Sequence, residues 1–125
     1  MLTKILSKDS TLFFAIASSV GILILSLINK VPSPAGLTIN DKLGHTIAYL
    51  CLGFFWLTFA KHHTKKRVSF FLIALACIVY GIIIELMQGA LTSTRTASVL
   101  DVIANTSGVI IACLIVFGVK IGVKK

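Results

Sequence analysis

Four stretches of the chain are apolar almost without a break, and the polar residues gather between them. The first runs from Thr11 to Ile28, interrupted only by Gly21 and several serines. As a helix it is ~27 Å long, close to the thickness of a bilayer hydrocarbon core. The second runs from Leu43 to Ala60 and carries His45, Tyr49 and Trp56, and the third from Val68 to Leu91. The fourth starts near Val99 and fades near Val119. Residues 29–42 hold Pro32-Ser33-Pro34 and Gly36, which mark a loop. Residues 61–67 form a tight basic link, and 92–98 a short polar one. The pattern predicts an all-α integral membrane bundle with transmembrane helices at about 11–28, 43–60, 68–91 and 99–119, in a single domain spanning 1–125. A signal peptide is the rival reading of the first stretch. That stretch is long for such a segment and no small-x-small cleavage site follows it, so a retained helix is expected.

Composition sharpens this. Of 125 residues, 57% are hydrophobic and only 13% charged, with a mean hydropathy of +1.01. A soluble fold of that composition would have too little polar surface to face water. The net charge of +8 raises the question of nucleic acid. The basic residues are not interleaved with aromatics on one face but lie between and beyond the apolar stretches, so no nucleic-acid partner is expected. Lys4, Lys8, Lys61, Lys65, Lys66, Arg67, Lys120, Lys124 and Lys125 fall on the side of the termini, and Lys30, Lys42 and Arg95 on the other. The positive-inside rule then puts both termini in the cytoplasm and loops 29–42 and 92–98 outside. Cys51, Cys77 and Cys113 lie singly in separate apolar stretches, a spacing that supports neither a disulfide framework nor a thiolate metal site.

With that topology, the ionisable residues of the helices collect at one level. Asp41, Lys42 and His45 start the second helix, Glu85 and Gln88 lie near the end of the third, Arg95 sits on the outer link, and Asp101 and Asn105 open the fourth. Asp41/His45 and Asp101/Asn105 are four residues apart and Glu85/Gln88 three, so each pair shares one helix face. Ala104, Gly108 and Ala112 form a ridge of small residues beside Asn105 that lets a neighbouring helix come close. Some of these residues have local explanations. Ser98-x-x-Asp101 resembles a capping box, Asp41 suits a helix start, His45 suits an interface, and Asn105 can bond helices together. Glu85 is harder to explain locally. It lies about 9 Å inside the helix end, where the dipole disfavours an acid, and a charge in lipid costs several kcal/mol. A structural ion pair would account for it, and so would a site opening to the outer face.

The pattern Asp41-Lys42-x-x-His45-x-x-x-Tyr49, then Glu85-x-x-Gln88, Arg95 and Asp101-x-x-x-Asn105-x-x-Gly108, resembles the VanZ-like family of small bacterial membrane proteins. The first helix is similar only as an apolar segment. Thr92-Ser93-Thr94 stands where that family often has Pro or Gly before the Arg. The resemblance implies a multi-pass protein of the bacterial cytoplasmic membrane with a role in the cell envelope, and a link to teicoplanin-type glycopeptide resistance. The site would comprise Asp41, Lys42, His45, Tyr49, Glu85, Gln88, Arg95, Asp101 and Asn105. It would bind an anionic lipid headgroup or a lipid-linked cell-wall precursor, with membrane lipids and a glycopeptide among the partners. Catalysis on a lipid-linked substrate is an alternative, weakened by the lack of a nucleophile, and a structural role in an envelope complex is another. Asp41, His45 and Glu85 could ligate a divalent metal, but no HExxH-type signature is present, and neither a metal nor a cofactor is expected.

Overall fold

The computed structural model describes residues 7–27, 38–63, 66–91 and 99–118, with 38–41 as backbone alone. Among these residues there are four helices and no strands: α1 Lys8–Leu27, α2 Thr38–Lys61, α3 Arg67–Leu91 and α4 Val99–Gly118. Each is long and apolar enough to cross a membrane. Two starts differ from expectation. Helix α1 begins at Lys8 rather than Thr11, because Ser7 caps it. The Ser10 amide donates to Ser7 Oγ at 3.3 Å, and Asp9 in the first turn suits the helix dipole. Helix α2 begins at Thr38 rather than Leu43. Polar residues are compatible with the first turns of a helix, and the Pro32-Ser33-Pro34 turn signal lies upstream of Thr38.

Burial is inverted relative to a soluble bundle. Phe13, Leu25, Phe71, Leu86 and Leu114 are exposed on the outside, whereas Glu85, Gln88, Asp101 and Asn105 are buried. Lipid is as apolar as leucine, so such helices associate through close packing and interhelical hydrogen bonds rather than hydrophobic burial. The apolar core between the helices contains Ile22, Tyr49, Leu52, Cys77, Ile84 and Val109 around mid-bundle, and Leu57, Ala112 and Val116 further from the polar cluster.

The bundle has a rhombic cross-section. Helices α2 and α3 face each other across the short diagonal, and among the described residues α1 and α4 occupy the far corners without touching. The most extensive interface joins α2 to α4, two parallel helices not adjacent in sequence. The small-residue ridge of α4 makes it possible. A Cβ built on Gly108 would stand 2.3 Å from the Thr46 carbonyl oxygen and 2.8 Å from the Leu50 amide nitrogen. One turn on, a Cβ at Gly53 would lie 3.0 Å from that of Ala112. At the far end, Lys61 Nζ donates to the Val116 carbonyl at 2.7 Å and lies 5.4 Å from the centre of the Phe117 ring, satisfying a carbonyl in the last turn of α4.

Helix α1 attaches through a different set of contacts. Trp56 Nε1 donates to Ser19 Oγ at 3.0 Å, Tyr80 donates its hydroxyl to the Ser19 carbonyl, and Phe14 stacks on Phe55 at 5.2 Å. An apolar cavity of about 320 Å³, lined by Leu52, Trp56, Ile73, Ala76, Cys77 and Tyr80 with Ser19, opens beside these contacts.

The contact at Gly108 sets a test. Gly108→Ala must push two backbones apart and is expected to destabilise the bundle by about 1–3 kcal/mol, the usual range for overpacking. Gly21→Ala, at a position with nothing within 4 Å of the new methyl, should be neutral or stabilise by up to about 1 kcal/mol through helix propensity. Thermal unfolding of the two variants in detergent, side by side, measures the difference.

Candidate functional site

The parallel register of α2 and α4 brings their polar residues together turn by turn. Lys42 Nζ forms an ion pair with Asp101 Oδ1. About one turn further in, His45 Nδ1 and Asn105 Oδ1 are hydrogen-bonded at 2.9 Å; with the amide oxygen accepting, Nδ1 is the donor. Thr46 Oγ1 donates to the Lys42 carbonyl at 3.1 Å and reaches the Ala104 carbonyl of α4 at 3.2 Å. Asp101 stands in the first turn of α4, where the dipole favours an acid, and its side chain is 10% exposed against 35% for Lys42. The ammonium therefore reaches towards solvent while the carboxylate is fixed inside.

Helix α3 supplies the third side. A Cβ on Gly81 would stand 3.1 Å from Tyr49 Cε2 and 3.4 Å from both Cβ and Nδ2 of Asn105, so the glycine lets α3 settle against the Tyr49 and Asn105 side chains. One turn later Glu85 enters the bundle, buried, with Gln88 buried beyond it. Ligating atoms of His45, Glu85 and Asp101, one from each of α2, α3 and α4, all lie within 4.8 Å of one another. Asp101 Oδ2 is 3.9 Å from His45 Nε2. Tyr49 lies within electrostatic range of Glu85 at the floor of the cluster. Among the described residues, the buried Tyr49 hydroxyl and Asn105 Nδ2 have no hydrogen-bond partner.

Of the nine residues expected at the site, Lys42, His45, Tyr49, Glu85, Gln88, Asp101 and Asn105 lie together at this end of the bundle. The Asp41 side chain and Arg95 lie outside the described residues, as does Ser98 of the capping-box pattern. Thr46 was missed. Its signal was its place four residues after Lys42, where a helical threonine bonds back to a carbonyl. Helix α1 contributes none of these side chains.

Four membrane-crossing helices around a buried cluster of acids, amides and an imidazole define a multi-pass membrane protein with a polar centre at one end. The chain belongs to the VanZ/LLP1 family, whose model matches residues 4–120, nearly the whole length. No curated protein and no solved structure matches it.

The ion pair gives a further test. Lys42→Ala leaves the Asp101 carboxylate without its ammonium and is expected to cost about 1–2 kcal/mol, less than the ~3–5 kcal/mol typical of a fully buried pair because Lys42 is partly exposed. Adding Asp101→Asn should recover most of that loss, and a double-mutant cycle on unfolding free energies checks it.

Proposed function

We propose that the polar end of the bundle faces outward from the bacterial cytoplasmic membrane and binds the anionic headgroup of a lipid or lipid-linked cell-wall precursor. The observation that carries this reading is the convergence of Lys42, His45, Glu85, Gln88, Asp101 and Asn105, from three helices, at one end only. A transmembrane pathway would need polar groups along the whole bundle, and the other half is packed with Leu57, Ala112 and Val116. A site at one end takes a ligand from one surface. The excess of Lys and Arg on the side of the termini supports an outward orientation of that end.

Arg95, in the segment joining α3 to α4, and Lys42, partly exposed, are the cations for a phosphate or carboxylate. The amides of Gln88 and Asn105 and the Tyr49 hydroxyl supply hydrogen bonds deeper in, and the cavity of about 320 Å³ gives a hydrocarbon chain somewhere to lie. A lipid-borne ligand fits this pairing of polar centre and apolar cleft better than a soluble one. Protection against a teicoplanin-type glycopeptide would follow where the bound headgroup belongs to the precursor that the drug captures.

Two measurements test this. Native mass spectrometry of the protein released from nanodiscs containing phosphatidylglycerol should show retained lipid, reduced about tenfold or more in Arg95→Ala; unchanged retention contradicts the reading. For orientation, a cysteine-free background carrying Ser33→Cys should react with a membrane-impermeant maleimide in intact cells. His63→Cys should react only after lysis. The opposite result would turn the site towards the cytoplasm.

A further inference from the structure

We propose that His45, Glu85 and Asp101 bind a divalent transition-metal cation, Zn²⁺ or Mn²⁺, that supplies the positive charge for the headgroup. The inference rests on the reading of this end of the bundle as the binding site, and it departs from the expectation of no metal. Three observations lead to it. First, the donor set is one imidazole and two carboxylates from three different helices, within 4.8 Å of one another. Imidazole with carboxylate oxygen suits Zn²⁺ and Mn²⁺, and three protein ligands leave positions open for a further oxygen ligand. Bonds of about 2.0–2.2 Å place tetrahedral ligand atoms roughly 3.4 Å apart, so the three atoms must close somewhat on a bound ion.

Second, the ring of His45 is oriented for it. Asn105 Oδ1 is hydrogen-bonded to Nδ1 at 2.9 Å, which makes Nε2 the ring nitrogen that faces Asp101 Oδ2 at 3.9 Å. Either a proton or a metal ion on Nε2 can lie between the ring and the carboxylate, and metal retention tells the two apart. A hydrogen bond from the far ring nitrogen to a carbonyl-type oxygen is also the usual support of a metal-bound histidine. Third, the two Asp101 oxygens are divided. Oδ1 takes Lys42 and Oδ2 faces His45, so a metal on Oδ2 leaves the ion pair standing.

Charge gives the inference its functional sense. Among the described residues of the cluster, Glu85 and Asp101 against Lys42 leave a formal charge of −1 beside the headgroup that Arg95 and Lys42 would draw in. A bound divalent cation turns that into +1, with open coordination positions for a phosphate oxygen. Buried charges in proteins are paired or hold metals, and this arrangement does both.

The test uses the full chain in phosphatidylcholine nanodiscs with His62→Ala and His63→Ala, which remove an adventitious histidine pair on the 61–67 link. After loading with Zn²⁺ and dialysis, roughly one Zn²⁺ per chain is expected by elemental analysis. The affinity should fall more than about tenfold in Glu85→Gln and in Asp101→Asn. Substitution with Co²⁺ should give visible bands that disappear in His45→Gln, and Zn²⁺ should raise the unfolding temperature of the parent only. If Glu85→Gln fails to fold, Asp101→Asn nearer the helix end carries the comparison. A folded parent that retains no Zn²⁺, or retention unchanged in all three variants, overturns the proposal. That result would leave a proton on His45 Nε2 between the ring and the carboxylate.

Phosphatidylglycerol retention measured with and without EDTA separates the two readings. Loss in EDTA, restored by Zn²⁺, supports both. Retention in EDTA by a chain that holds no Zn²⁺ overturns the metal and leaves the headgroup reading intact, and absence of both overturns both.

Discussion

The backbone-to-backbone contact of α2 with α4 at Gly108 is the constraint on which the arrangement depends. No side chain separates the α4 backbone from Thr46 and Leu50 there. At that separation the parallel register is fixed, and residues about sixty positions apart meet: Lys42 with Asp101, Thr46 with Ala104, His45 with Asn105. A second glycine then positions the third helix. Gly81 rests against Tyr49 and Asn105, and Glu85, one turn beyond it, reaches the acid and imidazole already assembled. Two positions without a side chain thus decide where four ionisable groups stand.

The two ends of the bundle handle polarity differently. At one, Lys61 runs its aliphatic stem past Phe117 and ends on a terminal carbonyl of α4, as long cations do near a membrane surface. That is a capping arrangement. At the other, the acids, amides and imidazole are drawn inward and pair across helices, with Lys42 closing the cluster from the solvent side. Interhelical hydrogen bonds in membranes contribute only about 0.6–2 kcal/mol each, so close packing at Gly108 and Gly53 carries much of the association.

Much of this was legible in the sequence, and the part that was not has physical reasons. The helices announce themselves because eighteen or so apolar residues have few other uses. The start of α2 was placed five residues late, because Asn40, Asp41 and Lys42 look like loop when only polarity is read. The Ala104–Gly108–Ala112 ridge marked a close approach but not its partner. Helix α2 is apolar nearly all round, and nothing in its pattern singles out the face with Thr46 and Gly53. The i, i+4 and i, i+3 pairs correctly gave one polar face per helix. They could not give which atoms pair across helices, since that depends on a register set by glycines. Of the metal-type donor set, His45 and Glu85 could be named from the sequence, but with Asp41 as the third ligand; Asp101 takes that place only through the register of α2 against α4.

The contrast between the helices also bears on whether the cluster merely locks the bundle. Lys42 with Asp101, His45 with Asn105 and Thr46 with Ala104 already join α2 to α4, the pair with the most extensive interface. Helix α3 packs through Gly81, Ile84 and Cys77, contacts that need no charge. A lock would gain more from an apolar side chain at position 85, because replacing a buried charge by a well-packed hydrophobe is often neutral or stabilising. Glu85 instead places a second carboxylate beside the first, at a depth where that is costly. The proposed site would account for that cost through what the two carboxylates and the imidazole bind, whereas a locking role would have to recover it from Glu85's ion pairs and hydrogen bonds.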